Sequence, residues 1–248
     1  MYLKKAKLKK QEKDFFDKYP YNVASIRLLD EITLNDKVTF IIGENGTGKS
    51  TLLEAIAVSL GFNPEGGSKN FNFQTSSGQK YAADALELKL SSLREKDNYF
   101  LRAESFYNVA TNIDYLDAEA EKYGGYGTPI KNFFGGKSLH EQSHGESFFS
   151  LLNNRLKGRG LYLFDEPEAA LSPMKQMAMI SRIHDLCIED SQFIIATHSP
   201  IILSYPNATI YQISEEGIDN ITYKETHAYN QTKEFLNKPE KMLEILLS

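Results

Sequence analysis

Cysteine is all but missing from the 248 residues: Cys187 stands alone. No internal disulfide framework can form, and such usage fits a reducing compartment. Long apolar runs are missing too. None approaches the 18 or so residues that a membrane-spanning helix needs, and the N-terminus lacks the apolar core of a secretory signal. An excess of positive charge is likewise absent. Lys and Arg number 28 against 33 Asp and Glu, a net charge of −5. The surface as a whole therefore does not attract nucleic acid or anionic membranes, and either would need a local basic patch. These absences leave a soluble cytoplasmic protein as the expectation. What is present, 41% hydrophobic and 25% charged residues, is ordinary globular composition. The length suffices for one sizeable core or at most two small ones.

Along the chain, Val38 to Ile42 is a short apolar, β-branched run that ends at Gly43 and reads as a buried strand. Ser50 to Leu60 carries Leu52, Leu53, Ile56 and Leu60 at helical spacing and stops at Gly61. Residues 61–80 read as loop. Val23–Leu29, Leu86–Leu90 and Tyr99–Ala103 read as strands. Leu161–Phe164 and Phe193–Ala196 are two more buried-strand runs. Between them Ser172 and Pro173 look like an N-cap followed by proline at the first helical position. Met177, Ile180, Ile183 and Cys187 then predict the buried stripe of a helix. Strand, helix, strand in this order means parallel β with crossover helices. Residues 208–226 read as a hairpin and 231–247 as one closing amphipathic helix. The expected whole is a single α/β domain over residues 1–248. It has a mostly parallel core sheet, an antiparallel β portion near the N-terminus and a helical lobe at about 105–150.

Two constellations carry chemistry. Gly43-Glu44-Asn45-Gly46-Thr47-Gly48-Lys49-Ser50 matches G-x-x-x-x-G-K-[ST] in full, between a strand and a helix as a phosphate loop requires. The glycines let backbone N–H groups turn inward around phosphates, and the helix N-terminus adds partial positive charge. Lys49 is expected to reach the β- and γ-phosphates of ATP, Ser50 to ligate Mg²⁺, and Thr51 to complete the nucleotide contacts. The second constellation is Asp165-Glu166, at the end of the apolar strand Leu161–Phe164. Adjacent acids there are costly unless they have work to do. Asp165 would hold Mg²⁺ and Glu166 would take a proton from the attacking water.

Gln142-Ser143-His144-Gly145-Glu146-Ser147 ends 18 residues before Asp165. Here the chain resembles the ABC-class P-loop ATPases, whose signature is L-S-G-G-Q. Ser143 and Gly145 fit the serine and second glycine, His144 replaces the first glycine, and Glu146 stands at the glutamine. Glu166-Pro167-Glu168-Ala169-Ala170-Leu171-Ser172-Pro173 resembles the D-loop. Ala196-Thr197-His198-Ser199-Pro200 resembles the switch-histidine segment. The wording is closer to the small, coil-free branch similar to SMC and overcoming-lysogenization-defect proteins than to transporter subunits. The resemblance implies that His198 senses the γ-phosphate. It also implies that Ser143, His144, Gly145 and Glu146 of one protomer cap the ATP of another in a sandwich dimer. It implies a strand-end glutamine touching the metal, a place that Glu104 fills here. Gln74 and Gln79 lie inside a loop. Tyr19 and Tyr21 are candidates for stacking on adenine.

Ninety-two residues separate Ser50 from Ser143, too few for the long arm of true SMC proteins. The six lysines in residues 1–13 read as a solvated edge strand, with nucleic-acid contact as the alternative. His140, His184 and His227 have no ligand spacing with Cys187, so no zinc site is expected. Three functions stay open. One is Mg²⁺-dependent ATP hydrolysis coupled to DNA maintenance or anti-phage defence. Another is an ATP-gated switch controlling a partner effector protein. The third is the nucleotide-binding subunit of a transporter, against which the Ser-His-Gly and Thr-His-Ser-Pro segments speak. Whichever holds, Lys49→Ala should abolish both nucleotide affinity and turnover. Near-normal ATP affinity in calorimetry would contradict the phosphate-loop assignment.

Overall fold

A computed structural model describes residues 1–9, 17–70, 85–124 and 128–247, with the backbone alone at His144. Gln74, Gln79, Lys10 and Lys13 lie outside the described residues. The chain runs β1 (Leu3–Leu8), α1 (Ala24–Arg27), β2 (Glu31–Thr33), β3 (Val38–Gly43), α2 (Lys49–Ser59), β4 (Leu86–Leu90) and β5 (Asp97–Arg102). It continues through α3 (Phe106–Lys122), α4 (His144–Ser150), β6 (Gly160–Asp165), α5 (Pro173–Ile188) and β7 (Gln192–Ala196). A hairpin of β8 (Thr209–Ile213) and β9 (Ile218–Ile221) follows, then α6 (His227–Asn237) and α7 (Pro239–Leu246).

The main sheet has the order β5-β6-β7-β3-β8-β9, parallel throughout except for the β8–β9 hairpin. A second, antiparallel sheet has the order β2-β1-β4. The central strands β6, β7 and β3 are buried on both faces because both faces are covered. Phe40, Tyr162, Phe164, Phe193 and Ile195 point to one side, where α3, α4 and α5 pack. Ile41, Leu161, Leu163, Ile194 and Ala196 point to the other, against α2 and the antiparallel sheet. Pleating alone produces this division. Buried Gln192 joins the layers. Its Oε1 accepts from the Tyr2 and Leu3 N–H groups at 2.7 and 2.9 Å, and its Nε2 donates to Leu3 O and Asn35 O at 2.8 and 2.7 Å. All the capacity of this buried amide is used, as low-dielectric surroundings demand.

Four readings from the sequence need correction. Val23–Leu29 holds the helical turn α1, not a strand: Val23, Ile26 and Leu29 recur every third residue, and Ile26 and Leu29 are buried. The lysine-bearing β1 is the middle strand of its sheet rather than an edge, since β2 and β4 pair on either side of it. Met177 is half exposed, and Met179, Ile183, Leu186 and Cys187 form the buried stripe of α5. The closing helix is two helices, because Pro239 forces Lys238 out of helical conformation (φ −144°, ψ 60°). The Ser172 N-cap with Pro173 behind it is as expected.

Phe164 lies fully buried between Phe193 and Phe148 of α4, with ring centroids 5.6 and 6.3 Å away. Phe164→Ala should lower unfolding free energy by about 3–5 kcal/mol, read as the shift in the urea midpoint. A loss below 1 kcal/mol would mean that α4 and the sheet do not pack around Phe164 as described.

Candidate functional site

Parallel pairing sets the C-terminal ends of β6, β7 and β3 side by side: Asp165 pairs with Ala196, and Ala196 with Ile41. In open parallel sheets ligands bind outside this edge. The phosphate-loop residues leave β3 there and turn into α2. Gly48 has φ +92°, and a Cβ on it would meet Val23 Cγ1 at 2.2 Å and Ser25 Oγ at 2.4 Å, so glycine is required on both counts. Buried Ser25 donates its hydroxyl to Gly48 O at 2.7 Å, and its N–H donates to Thr47 O at 3.2 Å. The turn α1 is thus the support that holds the loop's shape.

Lys49 is buried and donates from Nζ to Glu44 O at 3.1 Å, so its head lies across the loop. Burial pulls its ammonium below the usual lysine range, opposed by the negative charges of Glu166, Asp165 and Glu168. Ser50 Oγ donates to Asp165 Oδ1 at 2.9 Å. This puts two hard oxygen donors, one from the first turn of α2 and one from the end of β6, within one hydrogen bond of each other. Such a pair, with phosphate oxygens and water, suits Mg²⁺. Among the described residues no cluster of three His, Cys, Asp or Glu side chains could hold a metal by protein groups alone.

Glu166 departs from the strand. It takes the left-handed conformation, φ 48° and ψ 55°. For a residue with a Cβ this costs on the order of 1–3 kcal/mol and concentrates at working sites. Its N–H still donates to Ala196 O at 2.9 Å, so the turn begins straight after the ladder ends. The carboxylate comes out toward His198, with Oε1 3.4 Å from Nε2. Ser50, Glu104, Asp165 and Glu166 line one cavity of about 730 Å³. Gly43 to Thr47 and His198 line a second, of about 900 Å³, to which His227 and Gln231 of α6 also contribute.

The signature segment stands apart. Ser143 is the N-cap of α4, as a helix-start turn predicts, but Ser143, Gly145 and Glu146 line neither of these cavities. The Ser143 N–H and hydroxyl both donate to Glu146 Oε2, at 2.9 and 2.6 Å, which holds that carboxyl below its usual range. Of the adenine candidates, Tyr21 is 1% exposed and offers no face. Tyr19 is 44% exposed, with its hydroxyl in hydrogen-bonding reach of Thr51 and Glu54.

Residues 21–148, just over half of the chain, match the family model of an AAA domain. The chain belongs to the AAA-domain family. Residues 147–204 match a second AAA-domain model, whose description also names AbiEii toxin and a Type IV TA system. Among solved structures, an ATP-binding cassette of an ABC transporter in its ADP conformation is similar at 19% identity. That match covers 100% of this chain and 99% of the other, with a TM-score of 0.52. The SMC head domain from Thermotoga maritima is 17% identical over 90% of this chain and 99% of its own, with a TM-score of 0.45. At such identities the likeness concerns the fold. Family and fold together make this an AAA domain with a P-loop ATP-binding site, in the fold shared with ABC-type cassettes. No helix among the described residues is long and apolar enough to cross a membrane.

Three residues of the site in this AAA domain escaped sequence reasoning. Ser25 supports the loop from 23 positions away, with no local signal. Glu168 accepts the His198 N–H at 2.5 Å, so the segments after β6 and β7 are tied together. Arg102 closes β5 beside Asp165.

Burial raises the Asp165 pKa from its ordinary 3.8 to about 6, against the lowering effects of the Ser50 hydrogen bond and Arg102. The folded state then holds a proton that the unfolded chain has lost at pH 4–6, so stability falls as pH rises through that window. Asp165→Asn should therefore raise the melting temperature at pH 8 and leave it nearly unchanged at pH 4. At about 1.36 kcal/mol per pH unit the gain is at most about 3 kcal/mol. Equal gains at both pH values would show that burial of the charge is not the cause.

Proposed function

We propose that this AAA domain hydrolyses ATP in a Mg²⁺-dependent manner as a head-to-tail homodimer that sandwiches two nucleotides. The observation that carries the reading is the meeting of Glu166 and His198, 3.4 Å apart, where β6 and β7 end beside the phosphate loop. The loop N–H groups and Lys49 bind and orient the triphosphate. Ser50 and Asp165 would hold the metal, which when bound supplies charge neutralisation at the phosphate oxygens. Glu166 orients the attacking water and takes its proton. His198, whose backbone Glu168 grips, reads the γ-phosphate and keeps Glu166 in place. Glu104 lines the same cavity and stands where the family places a glutamine.

Ser143 and its helix line neither cavity of their own chain, so a second copy is needed to bring a signature segment to the nucleotide. This supports the sandwich. For the work coupled to hydrolysis, the toxin–antitoxin wording of the second matching model favours defence over DNA maintenance. A single domain spanning the chain, acting in the cytoplasm, completes the proposal.

Glu166→Gln keeps the size of the side chain but cannot take a proton. Turnover should fall by about 10²–10⁴-fold, while ATP affinity survives and the ATP-bound dimer becomes long-lived. Glu168→Gln keeps an acceptor for the His198 N–H and should remain active. Turnover and dimer lifetime, by phosphate release and light scattering, test both variants. An inactive Glu168→Gln beside a fully active Glu166→Gln would reverse the assignment of the base. An ATP-independent monomer would rule out the sandwich.

A further inference from the structure

Arg102 ends β5 at the position paired in register with Asp165, and its side chain is 13% exposed. Its Nη1 donates to Glu54 Oε2 at 2.8 Å and to Pro64 O at 3.0 Å. Its Nη2 donates to Glu104 Oε1. Its Nε lies 3.6 Å from Asp165 Oδ2 and makes no hydrogen bond. One guanidinium therefore touches three carboxylates that come from α2, from the pocket wall and from the end of β6. Glu104 is 70% exposed. Without a partner, such a side chain would rotate freely through its staggered positions. Arg102 is fixed on a strand and held from behind by Glu54, so it gives Glu104 one direction. Glu54 in turn reaches the Tyr19 hydroxyl, and the chain of contacts runs from Tyr19 to the cavity.

We propose that Arg102 is a positioning residue of the nucleotide site, anchored by Glu54 and fixing Glu104 against the cavity wall beside Asp165. The proposal rests on the reading of this cavity as the place of ATP hydrolysis. Charge explains the choice of residue. Asp165, Glu166 and Glu104 converge where a triphosphate would bind, and an uncompensated cluster would repel it. Geometry explains arginine rather than lysine: a planar fork spans two carboxylates at once, and a single ammonium does not. Arg102 itself does not line the cavity, so its effect passes through Glu104.

The test is a double-mutant cycle on the full chain with Arg102→Lys, Glu104→Gln and both together, measured as ATP turnover and as calorimetric affinity for Mg²⁺–ATP. Arg102→Lys retains the charge beside Glu54 and should lower kcat about tenfold or more, since misplacing a group by about 1 Å can cost about a hundredfold. Its nucleotide affinity should stay within about twofold, which separates lost positioning from lost binding. Added to Glu104→Gln, it should cost nothing further. Glu54→Gln keeps the arginine but weakens the contact that anchors it, and should lower kcat in the same direction. It supplies the same reading if Arg102→Lys melts early. Wild-type kcat in Arg102→Lys or in Glu54→Gln would overturn the proposal. So would effects of Arg102→Lys and Glu104→Gln that multiply in full. A wild-type chain that binds Mg²⁺–ATP and does not hydrolyse it would overturn the proposed function, and this inference with it.

Discussion

Parallel pairing of β6, β7 and β3 is the constraint on which the rest of the structure depends. Each strand is apolar on both faces, so each can be satisfied only inside a layered domain. Once they pair in register, their C-terminal ends line up, and the chain must leave the sheet at that edge three times in neighbouring places. Gly43, Asp165 and Ala196 mark those exits. The polar groups that follow cannot go back into the core. They face one another across the edge, and that crowding makes the site.

The crowding is stabilised locally rather than relieved. Ser50 gives Asp165 a hydrogen bond, Arg102 stands beside it, and Lys49 is drawn under the loop. Even so, Asp165 remains a buried carboxyl whose charged form is disfavoured at rest. Glu166 holds a left-handed backbone that a side chain rarely adopts. Strain and desolvation of this kind concentrate where binding or chemistry gives something in return. The same edge joins the two segments after β6 and β7 through Glu168 and the His198 N–H. The segments that carry Glu166 and His198 are thereby joined at one corner.

The supports behind the site are of a different kind. Ser25 under the phosphate loop and Glu54 behind Arg102 line neither cavity, and Gln192 lies between the sheets. They satisfy buried donors and acceptors, and in doing so they fix the angle of what they touch. A polar group inside a domain is costly unless its partners are present. That cost makes such residues good positioning elements.

The sequence by itself determined the buried strands, the phosphate loop, the acidic strand end and the N-cap at Ser172. Each is a local pattern whose meaning follows from spacing: apolar runs, glycines before a lysine, a serine before a proline. Val23–Leu29 was misread because seven residues of mixed polarity fit two periods, and burial against the phosphate loop decided for the helical turn. The closing helix was misread across Pro239. The middle position of β1, the grip of Glu168 on His198 and the three-way contact of Arg102 were decided by tertiary structure alone. Apart from Glu104, two positions from Arg102, their partners lie 24 to 87 positions away. No periodicity in one strand encodes which strand it will lie beside, and a side chain's partners follow only from that neighbour.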